Sequence, residues 1–175
     1  MDKYEITNIQ SEYKGRKIYR IKALQDFADV RKGDLGGWVM AERNLSQEGH
    51  CWIYDNAMAI DNAYVSENAQ LRDKAKACNK ASVRGHARIL DHAKVLDRAE
   101  VFGKALMKHS AKVFETSKVS GLARLLDDCA VFGNAHIKGV TVLRGEDMVY
   151  NKQITRIRNG KEVKNVNNRR AFENI

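Results

Sequence analysis

Small, aliphatic and polar positions alternate with a strict six-residue period from Cys51 onward. Written in sixes, the chain places a small residue first and almost always an aliphatic residue third, as in Ala93 with Val95. Residues two apart point to the same side of a strand, so this pair fills a narrow interior. The fifth and sixth positions are rich in Asp, Gly and Asn, which tolerate turns. Each hexad therefore predicts one short strand and one corner, whereas a 3.6-residue helical stripe does not fit.

The hexads keep this register without an insertion as far as Glu146. Their first positions are Cys51, Ala57, Ala63, Ala69, Ala75, Ala81, Ala87, Ala93, Ala99, Ala105, Ala111, Ser117, Ala123, Cys129, Ala135 and Thr141. A second period of 18 residues appears at the fifth position, where Gly85, Gly103, Gly121 and Gly139 form one column. Three hexads therefore complete one turn. The glycine column predicts a corner with positive φ.

A second corner column at the fifth position consists mainly of aspartates. It contains Asp55, Asp73, Asp91 and Asp127, with His109 in the remaining place. Aspartate side chains at turns commonly accept hydrogen bonds from nearby backbone amides, and this is the expected role. A column of metal ligands is the alternative. No metal site is predicted.

The predicted fold is all-β: a single-stranded, three-sided parallel β-helix with a β cap at its N-terminal end and a hairpin at its C-terminal end. Residues 1–50 are predicted to be the cap, residues 51–146 the hexapeptide-repeat β-helix, and residues 147–175 the hairpin and a tail. The hairpin is expected around Asn159-Gly160, a strong turn signal. Within the cap, residues 33–37 (Gly-Asp-Leu-Gly-Gly) have a phosphate loop as an alternative, although no Lys-Ser/Thr pair follows.

The small-x-aliphatic hexads resemble the left-handed β-helix of hexapeptide-repeat acyltransferases. They resemble more closely bacterial and phage proteins built from tandem Asn-Ala-x-Val units, here Asn62-Ala63-Tyr64-Val65 and Asn134-Ala135-His136-Ile137. The stretch 33–39 (Gly-Asp-Leu-Gly-Gly-Trp-Val) resembles the N-terminal module of such proteins. The resemblance covers residues 22–146 and implies left-handed winding. It carries no assigned activity.

The chain has 31 Lys and Arg against 22 Asp and Glu, a formal net charge of +9. This excess favours anionic partners, namely a host protein, a nucleotide or nucleic acid, although a basic surface that only keeps the protein soluble is the alternative. No apolar run reaches the roughly 20 residues of a membrane helix, and the N-terminus lacks a signal-peptide core, so a cytoplasmic protein without a membrane partner is expected.

Outward positions of one predicted face form a candidate anion-binding patch. It consists of Arg72, Arg88, Lys108 and Arg124, which could bind phosphates through charge-assisted hydrogen bonds. The alternative is an ordinary solvated face. No cofactor is predicted.

An apolar column on the next face is a candidate oligomer interface. Its members are Ile60, Leu96, Phe114 and Phe132, at turn spacing. Such a stripe usually marks an interface, and the chain's own ends are the alternative cover. Because flanking lysines would repel an identical column, with Glu100 or the aspartate corner as possible acidic partners, a ring of different faces is expected, most simply a trimer.

Three functions are consistent with these features. The leading hypothesis is a non-catalytic β-helical scaffold, of phage origin by resemblance, that modulates a host system through its basic surface. The second is an acyltransferase with a histidine base at an inter-subunit cleft, for which His86, His92 and His109 are candidates. The missing loop between hexads weakens the second hypothesis, and no catalytic residue is otherwise predicted. The third is a structural, polymer-forming protein.

Overall fold

Each hexad from Cys51 onward forms a short strand and a tight turn in the computed structural model, which describes residues 2–154. A 3-10 turn, Glu42–Asn44, is the one helical segment within this range. The strands are β1 (Tyr4–Tyr13), β2 (Arg16–Ala23), β3 (Leu35–Val39), β4 (Trp52–Ile53), β5 (Met58–Ala59), β6 (Tyr64–Val65), β7 (Gln70–Leu71), β8 (Lys76–Ala77), β9 (Ser82–Val83), β10 (Arg88–Ile89), β11 (Lys94–Val95), β12 (Glu100–Val101), β13 (Leu106–Met107), β14 (Lys112–Val113), β15 (Lys118–Val119), β16 (Arg124–Leu125), β17 (Ala130–Phe132), β18 (His136–Ile137), β19 (Val142–Leu143), β20 (Met148–Tyr150) and β21 (Gln153–Ile154).

Successive strands of the repeat join three sheets in rotation, so each strand pairs in parallel with the third strand before and after it. The first sheet contains β4, β7, β10, β13, β16 and β19. The second contains β1, β2, β3, β5, β8, β11, β14, β17 and β20, and the third contains β6, β9, β12, β15, β18 and β21. The predicted all-β solenoid is confirmed, with about six stacked turns.

The interior is built from the first and third positions of the hexads, as the period predicts. Ala93, Val95, Ala99 and Val101 are all 0% exposed, and the first and third positions from Cys51 to Leu143 are all at most 1% exposed. Polar residues at first positions bond to the backbone: the Ser117 hydroxyl lies 2.7 Å from the carbonyl oxygen of Phe114. A buried hydroxyl with a partner avoids the desolvation penalty that an unpaired one would carry.

The corners have positive φ, and two different devices stabilise them. Gly103 has φ +72°, and a Cβ added there would lie 2.9 Å from the nitrogen of Gly121, so this column requires glycine. In the aspartate column, φ is 51° at Asp55 and 59° at Asp73, and the Asp55 carboxylate accepts a hydrogen bond of 3.1 Å from the Asp73 amide one turn later. The expected bonding of aspartates to backbone amides is confirmed.

The N-terminal segment extends the second sheet beyond the first full turn. Strands β1 and β2 form an antiparallel hairpin, β2 pairs antiparallel with β3, and β3 pairs in parallel with β5. A Cβ on Gly37 would lie 2.4 Å from the carbonyl oxygen of Ala57, so this glycine allows β3 to approach the stack. The part of the Gly-rich stretch from Leu35 onward is therefore a strand, and Gly36 and Gly37 pack closely against the stack.

Lys3 closes the N-terminal end of the stack. Its ammonium donates to the carbonyls of Glu48 and Cys51 at 3.2 and 3.1 Å, and the side chain is buried. Burial lowers the pKa of Lys3, since desolvation disfavours the charged form. Carbonyls that have no preceding turn to bond to are thus satisfied by the cap.

At the other end, the stack continues past residue 146. Strand β20 pairs with β17 and β21 pairs with β18, both in parallel. The last turn is one residue shorter, because Ile137 aligns with Ile154 rather than with residue 155. The hairpin predicted around Asn159-Gly160 lies outside the described residues.

None of the described residues belongs to a helix that is long and apolar enough to cross a membrane.

Candidate binding surfaces

The outer surface of the first sheet alternates cationic and aliphatic residues in both directions. Each turn contributes two outward side chains, one of each kind, and their order reverses from one turn to the next. We call this set the checkerboard surface: Arg88, Leu90, Leu106, Lys108, Arg124, Leu126, Val142 and Arg144. Strand register creates the pattern, since Arg88 aligns with Leu106 and Leu106 with Arg124.

The checkerboard surface is accessible and carries uncompensated charge. Arg88 and Arg124 are exposed and Lys108 is half-buried, and none of the three forms an ion pair within residues 2–154. Leu122 and Val140, at the adjoining glycine corner, are 53% and 51% exposed and extend its aliphatic part. The surface therefore offers both cations and apolar groups to a partner.

Arg72, the fourth residue of the predicted anion-binding patch, is already occupied. The loop between β2 and β3 covers the first turns of this sheet, and its Asp29 accepts from the Arg72 guanidinium at 2.6 Å. The guanidinium also stacks 3.6 Å from the Tyr54 ring centroid. Hydrogen bonding from Tyr54, followed by that from Arg72, lowers the pKa of Asp29. Arg72 thus anchors the cap, and the predicted patch reduces to Arg88, Lys108 and Arg124.

A second cationic feature lies on the second sheet. Lys76, Lys94 and Lys112 occupy equivalent outward positions on β8, β11 and β14 and are directly aligned across the strands. We call them the lysine ladder. Neighbouring strands lie about 4.8 Å apart, and like charges directly opposite each other are destabilising. From the sequence, these lysines are predicted only as charges that flank the apolar column, and no site is predicted on them.

The lysine ladder forms the floor of a groove of about 630 Å³. Lys74, His92 and Ser110 of the aspartate corner contribute one wall, and Asp128 contributes a carboxylate to the lining. Lys94 and Lys112 form no ion pair within the part of the chain that the structure describes. The groove is thus strongly cationic.

The predicted apolar column beside the lysine ladder is less exposed to solvent than its outward hexad positions predict. Ile60 and Phe132 are 5% exposed, Phe114 is 9% exposed and Leu96 is half-buried. Ile60 packs in one cluster with Ile18 of the hairpin, so the chain's own N-terminal segment covers the upper part of the column. Lower down, Phe114 and Phe132 stack with parallel rings 5.0 Å apart. Self-association through this column stays a prediction.

On the third sheet, the equivalent outward positions of neighbouring strands carry opposite charges. Glu100 aligns with Lys118 and its carboxylate lies 2.7 Å from the Lys118 ammonium and 3.4 Å from the Arg84 guanidinium. Hydrogen bonding from Lys118 lowers the pKa of Glu100. Glu100, considered above as an acidic partner for a neighbouring subunit's lysines, is therefore engaged within its own chain.

The candidate histidines all lie at exposed corner positions. His86 is 3.5 Å from the side-chain amide of Asn68, whereas His92 lines the lysine groove. His109 has the most defined surroundings, since its Nδ1 accepts from the Asp127 backbone amide at 3.1 Å and lies 2.9 Å from a carboxylate oxygen of the same residue. The backbone amide of Gly145, with a smaller contribution from His109, lowers the pKa of Asp127. The described residues contain no group of three or more potential ligands arranged for a metal.

Comparison with known proteins gives one informative similarity. No family model matches the chain. A segment of 50 residues is 50% identical to the "Uncharacterized acetyltransferase YdcK" of Escherichia coli (strain K12), over 28% of this chain and 15% of that protein. The chain thus spans a small part of the relative's length. Together with the solenoid, this similarity fits a hexapeptide-repeat β-helix, while the closer likeness to tandem Asn-Ala-x-Val proteins stays an expectation.

Proposed function

We propose that the protein is a non-catalytic binding scaffold whose checkerboard surface docks an acidic and partly apolar surface of another protein. One observation carries the proposal. Arg88, Leu106 and Arg124 are aligned on successive strands, so cation and apolar side chain alternate, and the neighbouring positions, with Lys108 and Leu126, alternate in the opposite order. The solenoid holds these side chains at fixed intervals of about 4.8 Å along its axis. A flat, rigid array of this kind binds with little ordering cost.

The mixture of groups favours a protein partner over nucleic acid. Phosphate recognition uses cations, and the aliphatic half of the checkerboard surface would gain little from a sugar–phosphate backbone. Burial of apolar area contributes roughly 25 cal/mol per Å², so Leu90, Leu106 and Leu126 favour a partner that also presents apolar groups. An identical copy is a poor partner, because its cations would face these cations. A phage-encoded protein acting on a bacterial host system is the setting that we propose.

Peptide binding tests this function directly. We expect a fluorescent peptide of alternating Asp and Leu to bind the protein at 150 mM salt, measured by fluorescence polarisation. A peptide with Ser in place of Leu should bind at least tenfold more weakly. The Arg88→Glu/Arg124→Glu variant should lose binding, and Lys80→Glu/Arg98→Glu, which makes the same charge change at the exposed corner between the second and third sheets, should retain it.

Two outcomes would contradict the proposal. One is equal binding of the Asp/Leu and Asp/Ser peptides, which would leave charge alone as the cause. The other is tighter binding of duplex DNA than of the Asp/Leu peptide at the same salt concentration.

Acyl transfer is the second candidate, favoured by the name of the relative and by the orientation of His109 through Asp127 at 2.9 Å. A histidine held by a carboxylate can take a proton from an acceptor hydroxyl or amine. The hexads between residues 51 and 146 keep register, so the repeat supplies no extruded loop for an acceptor site. Micromolar binding of coenzyme A in isothermal titration, lost in His86→Ala or His109→Ala, would establish this candidate over the scaffold.

A further inference from the structure

We propose that the groove above the lysine ladder is a binding site for an oligophosphate group, separate from the checkerboard surface. The ladder places three ammonium groups on consecutive turns, so it is about 10 Å long at the spacing of parallel strands. A chain of two or three linked phosphates has a comparable length. Each phosphate could therefore face a lysine of its own.

The lysines of the groove form no ion pair with an acid of the described chain. The lining of the groove contains Lys74, Lys76, Lys94 and Lys112 against one carboxylate, that of Asp128. The aspartates of the neighbouring corner already accept backbone amides, as Asp73 does from the Asp91 amide at 3.0 Å. The sequence beyond residue 154 has six Lys and Arg against two Glu, so its composition supplies no excess of acid. An external anion is what this groove lacks.

The dimensions favour a small ligand. A groove of about 630 Å³ lies within the range of about 300–1,000 Å³ that is usual for small-molecule sites. The hairpin closes one end of the ladder, since the Lys76 ammonium donates to the Tyr13 hydroxyl at 3.2 Å and lies 4.5 Å from the ring centroid. A long polyanion would collide with this tip, whereas a short one ends at it. Lys94 and Lys112 remain open to the ligand.

The hairpin tip also offers a place for an organic group attached to the phosphates. A neighbouring groove shares Lys76 and Lys94, and the rest of its lining combines charged and apolar groups, among them Lys14, Arg16, Asp61, Tyr13, Ile60 and Leu96. Its aromatic and aliphatic walls could hold a nucleoside, while the phosphates lie on the ladder. The shared chemistry is the oligophosphate, and its source is either an inorganic chain or a nucleotide.

Isothermal titration with tripolyphosphate and with ATP, in separate arms at 150 mM salt, tests the proposal. We expect saturable one-to-one binding of at least one probe and none of sulfate at the same concentration. Lys94→Gln/Lys112→Gln should weaken binding at least tenfold, while its circular dichroism stays that of the wild type. The matched control, Lys118→Gln/Lys138→Gln, removes the same charge from the third sheet and should change the affinity less than twofold. Tighter binding of ATP would assign the neighbouring groove to the nucleoside.

Absence of saturable binding at millimolar probe would overturn the proposal, as would equal weakening in the two double variants. The outcome is independent of the protein-docking proposal. Arg88→Glu/Arg124→Glu alters the checkerboard surface alone, so it should leave the affinity for the oligophosphate within about threefold.

Discussion

The second and third sheets both have charged side chains aligned at the same outward hexad position, but the two sheets differ in whether these charges form ion pairs. On the third sheet, Glu100 lies between Lys118 and Arg84 and pairs with both. On the second sheet, Lys76, Lys94 and Lys112 align, and none of the three forms an ion pair with an acid among the described residues. Both ladders stand on equivalent hexad positions, so the fold does not dictate the difference. Charges compensated within the chain support the structure, and charges left uncompensated at the same position indicate a surface kept for a ligand.

Substitutions in the interior should have the largest effect on stability, and an equal effect under both sheets, because the interior is the same beneath them. Val95 lies beneath the lysine ladder and Val101 beneath the paired ladder, and both are 0% exposed. Val95→Asp and Val101→Asp should each destabilise the protein by more than about 4 kcal/mol, since an unpaired carboxylate would enter a dry interior. Thermal unfolding by circular dichroism measures this effect.

The outward neighbour provides the control for both core variants. Lys94→Asp changes the adjacent residue to the same side chain on the outside and should leave a folded protein. An unchanged melting temperature in either core variant would contradict the assignment of third hexad positions to the interior.

Removal of the acid from the paired ladder should have an intermediate effect. Glu100→Gln leaves Lys118 and Arg84 without their partner, and we expect a loss of roughly 1 kcal/mol at low salt, because Glu100 is partly exposed. The pKa of Glu100 is lowered in the folded state, so its contribution is present above the ordinary pKa of 4.5 and is lost as pH falls through the folded value. Urea unfolding at pH 7 and pH 3 measures the loss of stability and its dependence on pH.

The stability that Glu100→Gln loses relative to the wild type should depend on pH and on salt. The difference in unfolding free energy should shrink at pH 3 and in 1 M salt, whereas Glu67→Gln, which removes an acid without an ion pair in the described residues, should show little difference at either pH. A loss that is equal at both pH values would mean that packing, not charge, is responsible.

Much of the fold follows from the sequence, because interior and corner positions are fixed by local chemistry. The small and aliphatic alternation defines the core, and Gly103 and Asp55 mark positive-φ corners whose residue types tolerate that conformation. The cations of the checkerboard surface can also be predicted from the sequence, because Arg88, Lys108 and Arg124 occupy outward positions of the six-residue period.

The remaining features depend on irregular segments, which have no period to read. The pairing of Arg72 with Asp29 joins residues 43 apart in sequence, through a loop without a repeat. The cover of Ile60 by Ile18 depends on how the hairpin tip turns over the stack. The extension past residue 146 was hidden because the last turn is one residue short. The alignment of the ladder lysines can be predicted from the period. Their lack of acidic partners cannot, because it depends on the side chains of every neighbouring element.

The smallest expected effect separates the two ladders most sharply, because it changes sign between them. Lys94→Gln removes the middle charge of the lysine ladder and should stabilise the protein by a few tenths of a kcal/mol at low salt, since like charges on aligned strands repel. Lys118→Gln removes a cation that pairs with Glu100 at 2.7 Å and should destabilise the protein by a similar amount. Both differences should largely disappear in 1 M salt, where the screening length is only about 3 Å. Urea unfolding of the two variants beside the wild type at 20 mM and 1 M salt measures them, with no ligand present. If both variants lost stability equally at low salt, the ladder lysines would be stabilised by contacts of their aliphatic stems, and their alignment would no longer indicate a surface held open for an anion.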